Sequence, residues 1–390
     1  MKSRMLLVLA FCGLISPLFG MEKVECTCQT ALDEAHGLLQ KAKSYKVLVK
    51  GEREAALQEW KEKIKQEMAS DPMVEDFCLG YLQKFTSFVK DKHNQLYYAS
   101  QKDYPSSYPS YQGKWALDTT SFRDEYEGVY YAGTEKLLLK NSAPGQWLGI
   151  MLASDDDKWT HGTIRLKINM KADGTLEIFE FFKTGLLYYQ PSISIRDGRI
   201  HGTYWNKSNK YHFLNRHEEK FHFEQVSNDT DYIGLKTFTR TRKLMDEAAD
   251  FYAKALPRLT HMNLIVDLRS NGGGSVLQAK PLLQHLRQNK QIEHIYVLVN
   301  FKTASAAELV AIKLLEDQRV KLAGENTSGM LAFGYGNHAF TDMIDCRNIK
   351  VSFSTKKSKS GQSTYEFVGL TPTRLLGNVS DWVDQLTSLR

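Results

Sequence analysis

Ser305 lies in TASAAELVAIK (303–313), directly after an apolar strand-like run and at the start of a helical pattern. Ser305-Ala306-Ala307-Glu308 fits a capping box, in which the serine accepts a backbone N–H and the glutamate reaches back. The same position also suits a nucleophile. A helix N-terminus carries partial positive charge and unpaired N–H groups, so a hydroxyl there can attack while the next amide, Ala306, holds the oxyanion. Alanines on both sides leave room for a substrate backbone. On this stretch alone both readings stand.

A second candidate is DLRSNGGG (267–274), three glycines between a buried strand and a helix. Glycines there let backbone N–H groups face a phosphate or an oxyanion at close range. The spacing is not GxGxxG, and no GKS or GKT follows, so it does not point to a nucleotide. A serine nucleophile needs a base. Of the eleven histidines, His201, His212 and His222 alternate with aromatic residues in strand-like runs, and His261 and His294 precede buried strands. His93 differs. In VKDKHNQLYY it ends an amphipathic helical pattern, where its plain role is a cation at a helix C-terminus.

The elements that must position these residues fall into four parts. Residues 1–20 carry Lys2 and Arg4 ahead of an apolar run, which reads as a secretory signal peptide cut near Gly20. The run is short for a membrane span, which needs roughly 20 apolar residues. Residues 21–118 form an N-terminal helical domain. Its three amphipathic stretches are ALDEAHGLLQKAKSYKVLV, EREAALQEWKEKIKQEM and PMVEDFCLGYLQKFTSFVKDKH, the last with Pro72 in the first turn. Residues 119–230 show short alternating runs separated by Ala172-Asp173-Gly174 and Arg196-Asp197-Gly198, a β-rich module expected as a small sandwich or barrel. Its Trp147, Trp159, Tyr188, Tyr189 and Trp205 read as core residues or as the lining of a peptide groove. Residues 231–390 alternate strands with helices, which implies a mostly parallel sheet.

The formal net charge is +6 and falls to +4 when Lys2 and Arg4 leave with the signal. With no long basic run, nucleic acid is not an expected partner. Beyond the signal no stretch is apolar enough to span a bilayer. Cys26, Cys28, Cys78 and Cys346 remain, an even count that permits three disulfide pairings in an exported protein. A bond from Cys26 or Cys28 to Cys78 would staple the helical part. No Cys/His spacing resembles a zinc site, and no metal or other cofactor is expected.

Taken in order, YIGLKTF, LIVDLRSNGGG, IYVLVNFKTASAAELVAIKLLED, RVKLAGENTSGM and YEFVGLTP resemble the C-terminal processing peptidases, or tail-specific proteases, over about 231–375. The resemblance implies an α/β fold with a crotonase-like (ClpP-like) catalytic core and Ser305 as nucleophile. Its oxyanion hole would be the Ala306 amide with an amide of Gly272, Gly273 or Gly274. The familiar branch of the family pairs serine with a lysine in the loop after GE-x-T-x-G. Met330 occupies that slot here, and a thioether cannot accept the proton; Lys321 and Lys350 lie outside the loop. A second, tricorn-like branch takes a histidine from a D-x-H motif far upstream and a glutamate from E-x-x-G-[VL]-x-P. Asp91-Lys92-His93 and Glu366-Phe367-Val368-Gly369-Leu370-Thr371-Pro372 match these motifs, with Thr373 where an aspartate is usual. The PDZ domain common in the family is not evident in 119–230.

The resemblance therefore implies a serine-type peptidase, periplasmic or secreted. His93 would be general base, Glu366 would orient it, and peptides or unfolded proteins would be substrates. The principal rival is a non-catalytic ligand- or peptide-binding protein on the same core. The cleavage preference and oligomeric state are not written in these motifs.

Overall fold

The computed structural model describes residues 26–112, 119–336, 338–358 and 363–388; the expected signal peptide lies outside them. Helices α1 (Cys28–Leu39), α2 (Lys43–Leu48), α3 (Glu54–Ser70) and α4 (Cys78–Thr86) make the first layer. Thr27 caps α1 by accepting the Thr30 N–H, and Cys28, Ala31, Leu32, Ala35 and Leu39 form its buried face at helical spacing. The first amphipathic stretch thus divides into α1 and α2. α4 starts six residues after Pro72 and is followed by a short 3-10 turn and by Lys90 in the left-handed region. His93 consequently does not end a helix. It sits in the turn before β1 (Gln95–Tyr98), where Asp91 Oδ1 accepts the His93 N–H at 3.0 Å and stops the helix with a local turn.

Strands β2 (Gly128–Ala132), β3 (Glu135–Ala143), β4 (Gln146–Ala153), β5 (Ile164–Met170), β6 (Leu176–Phe181), β7 (Leu187–Arg196) and β8 (Arg199–His201) form an antiparallel meander in chain order. Asn206 bridges both Tyr131 on β2 and Arg199 on β8, so one short segment joins the two edges of the sheet. Of the two expected forms, a barrel is the one approached: among the described residues these strands make one sheet that curls on itself. The helices and this sheet share one hydrophobic core. At their contact a Cβ on Gly80 of α4 would meet the Phe179 ring at 2.5 Å, which is why a glycine stands there.

The third part is a six-stranded sheet. Its elements are β9 (Phe221–Ser227), β10 (Thr230–Leu235), α5 (Arg242–Ala255), β11 (Asn263–Asp267), α6 (Lys280–Gln288), β12 (His294–Val299), α7 (Ala306–Leu314) and β13 (Val320–Gly324). Further along come β14 (Phe333–Gly334), β15 (Phe340–Ile344), β16 (Ile349–Phe353), β17 (Lys356–Lys357), β18 (Arg374–Leu375) and α8 (Trp382–Thr387). The sheet order is β18-β13-β12-β11-β10-β9, parallel from β10 to β18, as the alternation of strands and helices predicts. β9 pairs antiparallel with β10, so it joins this sheet although it precedes residue 231.

Several links tie the helical layer to the α/β part. β1 pairs with β16, Cys26 is bonded to Cys346, and Ser354 donates to Asp91. A second disulfide, Cys28–Cys78, joins α1 to α4. The barrel is tied in by a buried ion pair. Arg199 Nη1 lies 3.0 Å from Glu325 Oε2, and His201 Nδ1 is also 3.0 Å from that oxygen. Among the described residues no helix is long and apolar enough to cross a membrane.

Candidate active site

The loop from β12 into α7 is built by two side chains that the motif reading passed over. Thr303 Oγ1 donates to the Leu268 carbonyl at 2.8 Å, and Asn300 Oδ1 accepts the Ser270 N–H at 2.8 Å. Together they lock the loop before Ser305 onto the DLR turn. Ala304 N–H then donates to the Asn271 carbonyl at 3.0 Å. Ser305 follows with φ 53° and ψ −118°, a conformation rarely adopted by a residue with a side chain. Such strain costs roughly 1–3 kcal/mol and persists where surrounding structure enforces it. The result is a hydroxyl at the N-terminus of a buried helix, on a sharp strand-to-helix turn.

Glu308 provides one arm of the expected capping box, its Oε2 accepting the Ser305 N–H at 2.8 Å. It does more than cap. The same fully buried carboxylate accepts from Thr327 Oγ1 at 2.5 Å, Gly329 N–H at 2.7 Å and Met330 N–H at 3.0 Å. Charge-assisted bonds of this kind are about twice as strong as neutral ones. They fix the GENTSGM loop to the nucleophile's helix. Thr327 Oγ1 in turn accepts the Leu370 N–H at 2.7 Å, which brings in the EFVGLTP segment. Two glycines permit that approach: a Cβ on Gly369 would sit 2.2 Å from the Thr327 carbonyl oxygen, and one on Gly329 2.7 Å from Gly369 N.

The glycine turn packs against the same helix end. A Cβ on Gly273 would lie 2.8 Å from the Ala306 nitrogen and 2.9 Å from Ser305 Cβ. Gly273 N–H itself donates to Asn271 Oδ1 at 3.0 Å. Its amide is therefore engaged internally, and Gly274 packs instead against the Phe238 carbonyl.

Glu366 is 4% exposed, and both of its oxygens are taken by backbone amides. Oε1 accepts Lys92 N–H at 2.6 Å; Oε2 accepts Leu331 and Ala332 N–H, each at 2.7 Å. Burial pushes its pKa up to about 7, outweighing the downward pull of the three amides. The next residue, Phe367, also has positive φ (65°).

His93 is 5% exposed, and burial pushes its pKa down to about 4. Its ring stands edge-on to Tyr335 at 5.2 Å, and the Tyr335 hydroxyl donates to the His93 carbonyl at 2.9 Å. Nδ1 is buried without a hydrogen-bond partner, 3.8 Å from Asp91 Oδ1. Asp91, His93 and Glu366 each present one atom within 4.8 Å of the others. The structure thus gathers the D-x-H and E-x-x-G motifs into one buried cluster. Among the described residues no hydrogen bond joins His93 to Ser305 or to Glu366. The bonds run instead from Ser305 through Glu308 to Met330, and from Leu331 through Glu366 to Lys92.

The lysines resolve in an unexpected way. Lys321 is exposed on β13, whereas Lys92 Nζ donates to the Ser328 carbonyl at 2.6 Å, reaching the loop whose usual lysine is Met330. Thr373 Oγ1 donates to the Leu322 carbonyl at 3.1 Å and anchors β18 to β13. His217, His222 and Glu224 form a second cluster with ligand-type atoms within 4.8 Å, on and beside β9. There the two rings are stacked at 3.6 Å and His217 Nε2 lies 2.8 Å from Glu224.

Residues 284–375 match the model of Peptidase family S41, a stretch that contains Ser305, Glu308, the GENTSGM loop and Glu366. No curated protein matches the chain. Among solved structures the chain is similar to a photosystem II D1 C-terminal processing protease, at 15% identity and a TM-score of 0.35, covering 90% of this chain and 94% of that one. It is also similar to mature CPAF, at 13% identity and a TM-score of 0.43 over 93% and 96% of the two chains. The tricorn protease is similar at 11% identity and a TM-score of 0.37, with 90% of this chain against 34% of that one. The strained serine at the helix start lies inside the segment that matches Peptidase family S41, which supports a serine-type peptidase.

Proposed function

We propose that the protein is an exported serine endopeptidase of the tricorn-like kind, on a crotonase-like core. Ser305 forms the acyl-enzyme, His93 takes and returns the proton, and Glu366 tunes that histidine. The observation that carries this reading is the Ser305 backbone, held at positive φ at the start of α7 with Gly273 packed against the Ala306 amide. Ser305 Oγ attacks the peptide carbonyl carbon and its proton passes to His93 Nε2. The oxyanion accepts from Ala306 N–H and from a glycine-turn amide. The amine leaves with the proton from His93, and water repeats the sequence to release the acid. A histidine held near 4 is neutral at pH 7 and so able to accept, but it is a weak base. Asp91 at 3.8 Å supplies negative charge that strengthens it once substrate brings the groups together, joined by Glu366, within 4.8 Å, as that carboxyl ionises above about 7. Two disulfides suit an oxidising compartment and support export.

The test is a fluorophosphonate probe with mass-spectrometric mapping of the labelled residue. Label is expected on Ser305, absent in Ser305→Ala and much slower in His93→Ala. Label that persists unchanged in His93→Ala removes the base; a folded wild type that takes no label removes the nucleophile.

A further inference from the structure

A cavity of about 750 Å³ opens between the barrel and the α/β part. Its walls are aromatic: Phe182, Tyr188, Tyr204 and Trp205 from the barrel, with Phe301 from the loop after β12. Lys92 and Ser328 also line it, and these are the two residues joined by the 2.6 Å bond between the His93 turn and the nucleophile's loop. The cavity continues into a second one of about 480 Å³, which shares Lys92, Ser328, Phe301, Gln190 and Gly202 and includes Glu366 in its lining. Ser328 N–H donates to the Thr303 carbonyl at 2.9 Å, two residues before Ser305. The two cavities therefore share a wall at Lys92 and Ser328, one hydrogen bond from Thr303 in the turn before Ser305, and the second reaches Glu366.

We infer that this chamber is the subsite for a large aromatic side chain of the peptide substrate. The inference rests on the peptidase reading and names what that site selects. Volume and apolar walls suit a ring, and pockets of this size bind ligands chiefly by such walls. The polar lining adds a preference. Arg165 is 2% exposed, lines the chamber, and has Nε and Nη1 without hydrogen-bond partners. Its Nη2 bonds Glu135 at 3.1 Å, while Glu180 accepts the Trp205 indole N–H at 2.8 Å. Lys92, Lys183 and Lys302 line the chamber as well, so its lining carries more cations than carboxylates. The Arg165 guanidinium is already stacked on the Trp159 ring at 4.1 Å, and a ring entering beside the lysines gains a cation–π contact that an aliphatic chain does not. Continuity with Lys92 and Ser328 identifies the occupant as part of the cleaved chain rather than a separate ligand.

The experiment measures fluorescence anisotropy of fluorescein-labelled peptides on the Ser305→Ala protein, which stops turnover. The host peptide is twelve residues of Ala and Ser; three others carry one central Phe, Leu or Glu. Phe should bind about tenfold or more tighter than the host, with Leu between them and Glu weaker than Phe. Filling the chamber with Leu214→Trp, or from another wall with Ala132→Phe, should reduce the Phe advantage to within about threefold. That range is what losing one buried ring implies. Near-ultraviolet circular dichroism identifies which filled variants are folded. Equal binding of all four peptides, no binding of any, or a Phe advantage that survives both fillings overturns the inference. Fluorophosphonate labelling of the wild type is scored separately. A Phe advantage without label would sink the peptidase reading and overturn the subsite as stated, leaving an aromatic-peptide binding site.

Discussion

On the Ser305 side of the site, Glu308 receives four donors, Thr327 bridges two segments, and Asn271, Asn300 and Thr303 pin the turns. On the His93 side, Nδ1 is buried with no partner, its nearest carboxylate oxygen is 3.8 Å away, and Glu366 spends its oxygens on amides. Both sides are dry. The difference is that the first has exchanged water for protein partners and the second has not finished doing so. A buried group without a partner forfeits about 1–3 kcal/mol, which is tolerable where a later ligand completes the site. On the proposed mechanism, the nucleophile's half is preorganised and the base's half awaits substrate.

The most damaging way to break this contrast is to remove the base. His93→Ala should lower peptide hydrolysis by about 10²–10⁴-fold, the range for general-base help, while the cavity left by the buried ring lowers the melting transition and leaves the protein folded. Turnover on a fluorogenic peptide alongside thermal melts checks both halves. An equal loss of fold and activity would mean that the ring is structural.

The preorganised half should break through its backbone. Gly273→Ala puts a methyl group within 2.9 Å of Ser305 Cβ and the Ala306 nitrogen, at a φ of +94°. Loss of one oxyanion donor costs about 10²–10³-fold in kcat, and that is the expected drop. Gly272→Ala, where a Cβ meets nothing within 4 Å, is the matched control and should keep most activity.

The two halves are held together by the Cys26–Cys346 bond, which spans 320 residues of sequence. Cys26→Ser/Cys346→Ser should cost about 2–4 kcal/mol of stability by urea titration. Loss of activity should come at lower urea than loss of the α/β part's far-ultraviolet signal. Coincident curves would mean that the halves are coupled by packing alone.

The smallest effect is a slope with pH. Between about 4.5 and 7 the folded protein keeps a proton on Glu366 that the unfolded chain has released, so this group's contribution to stability falls as pH rises. Between about 4 and 6.5 the unfolded chain protonates His93 and the folded protein does not, so that contribution falls as pH drops. The two slopes oppose each other across their shared window. In Glu366→Gln only the histidine's remains. Relative to wild type, the variant should gain about 1.4 kcal/mol per pH unit from pH 4.5 to 7. Chemical denaturation at four pH values measures this, and parallel curves for the two proteins would show that Glu366 is ionised throughout.

Much of the Ser305 half is legible in the chain because its parts are short and local. A strand, a glycine turn and a helix start declare themselves through periodicity and glycine, and Ser305, Ala306 and Glu308 are neighbours in sequence. Even so, Glu308 reads only as a cap, since its bonds to Thr327, Gly329 and Met330 join residues about twenty positions apart. The His93 half is harder to read. Its helical pattern runs smoothly to the histidine, and nothing local announces that Asp91 turns the chain early. The aromatic residues of the β-rich module illustrate the same limit. Trp147, Trp159 and Tyr189 are core, whereas Tyr188 and Trp205 also line the chamber, and alternation along a strand cannot separate a wall facing a core from one facing a cavity.

What the sequence by itself determined is the set of elements and the chemistry each can carry: the parallel α/β alternation, the serine at a helix start, and four cysteines able to pair. What only the tertiary structure decided is which groups meet, which pairs of cysteines bond, and which buried atoms lack a partner. The physical reason is that backbone propensity and hydrophobic period are local quantities. Burial, with the acidity shifts and unpaired donors it creates, depends on elements hundreds of residues apart closing over the same few atoms.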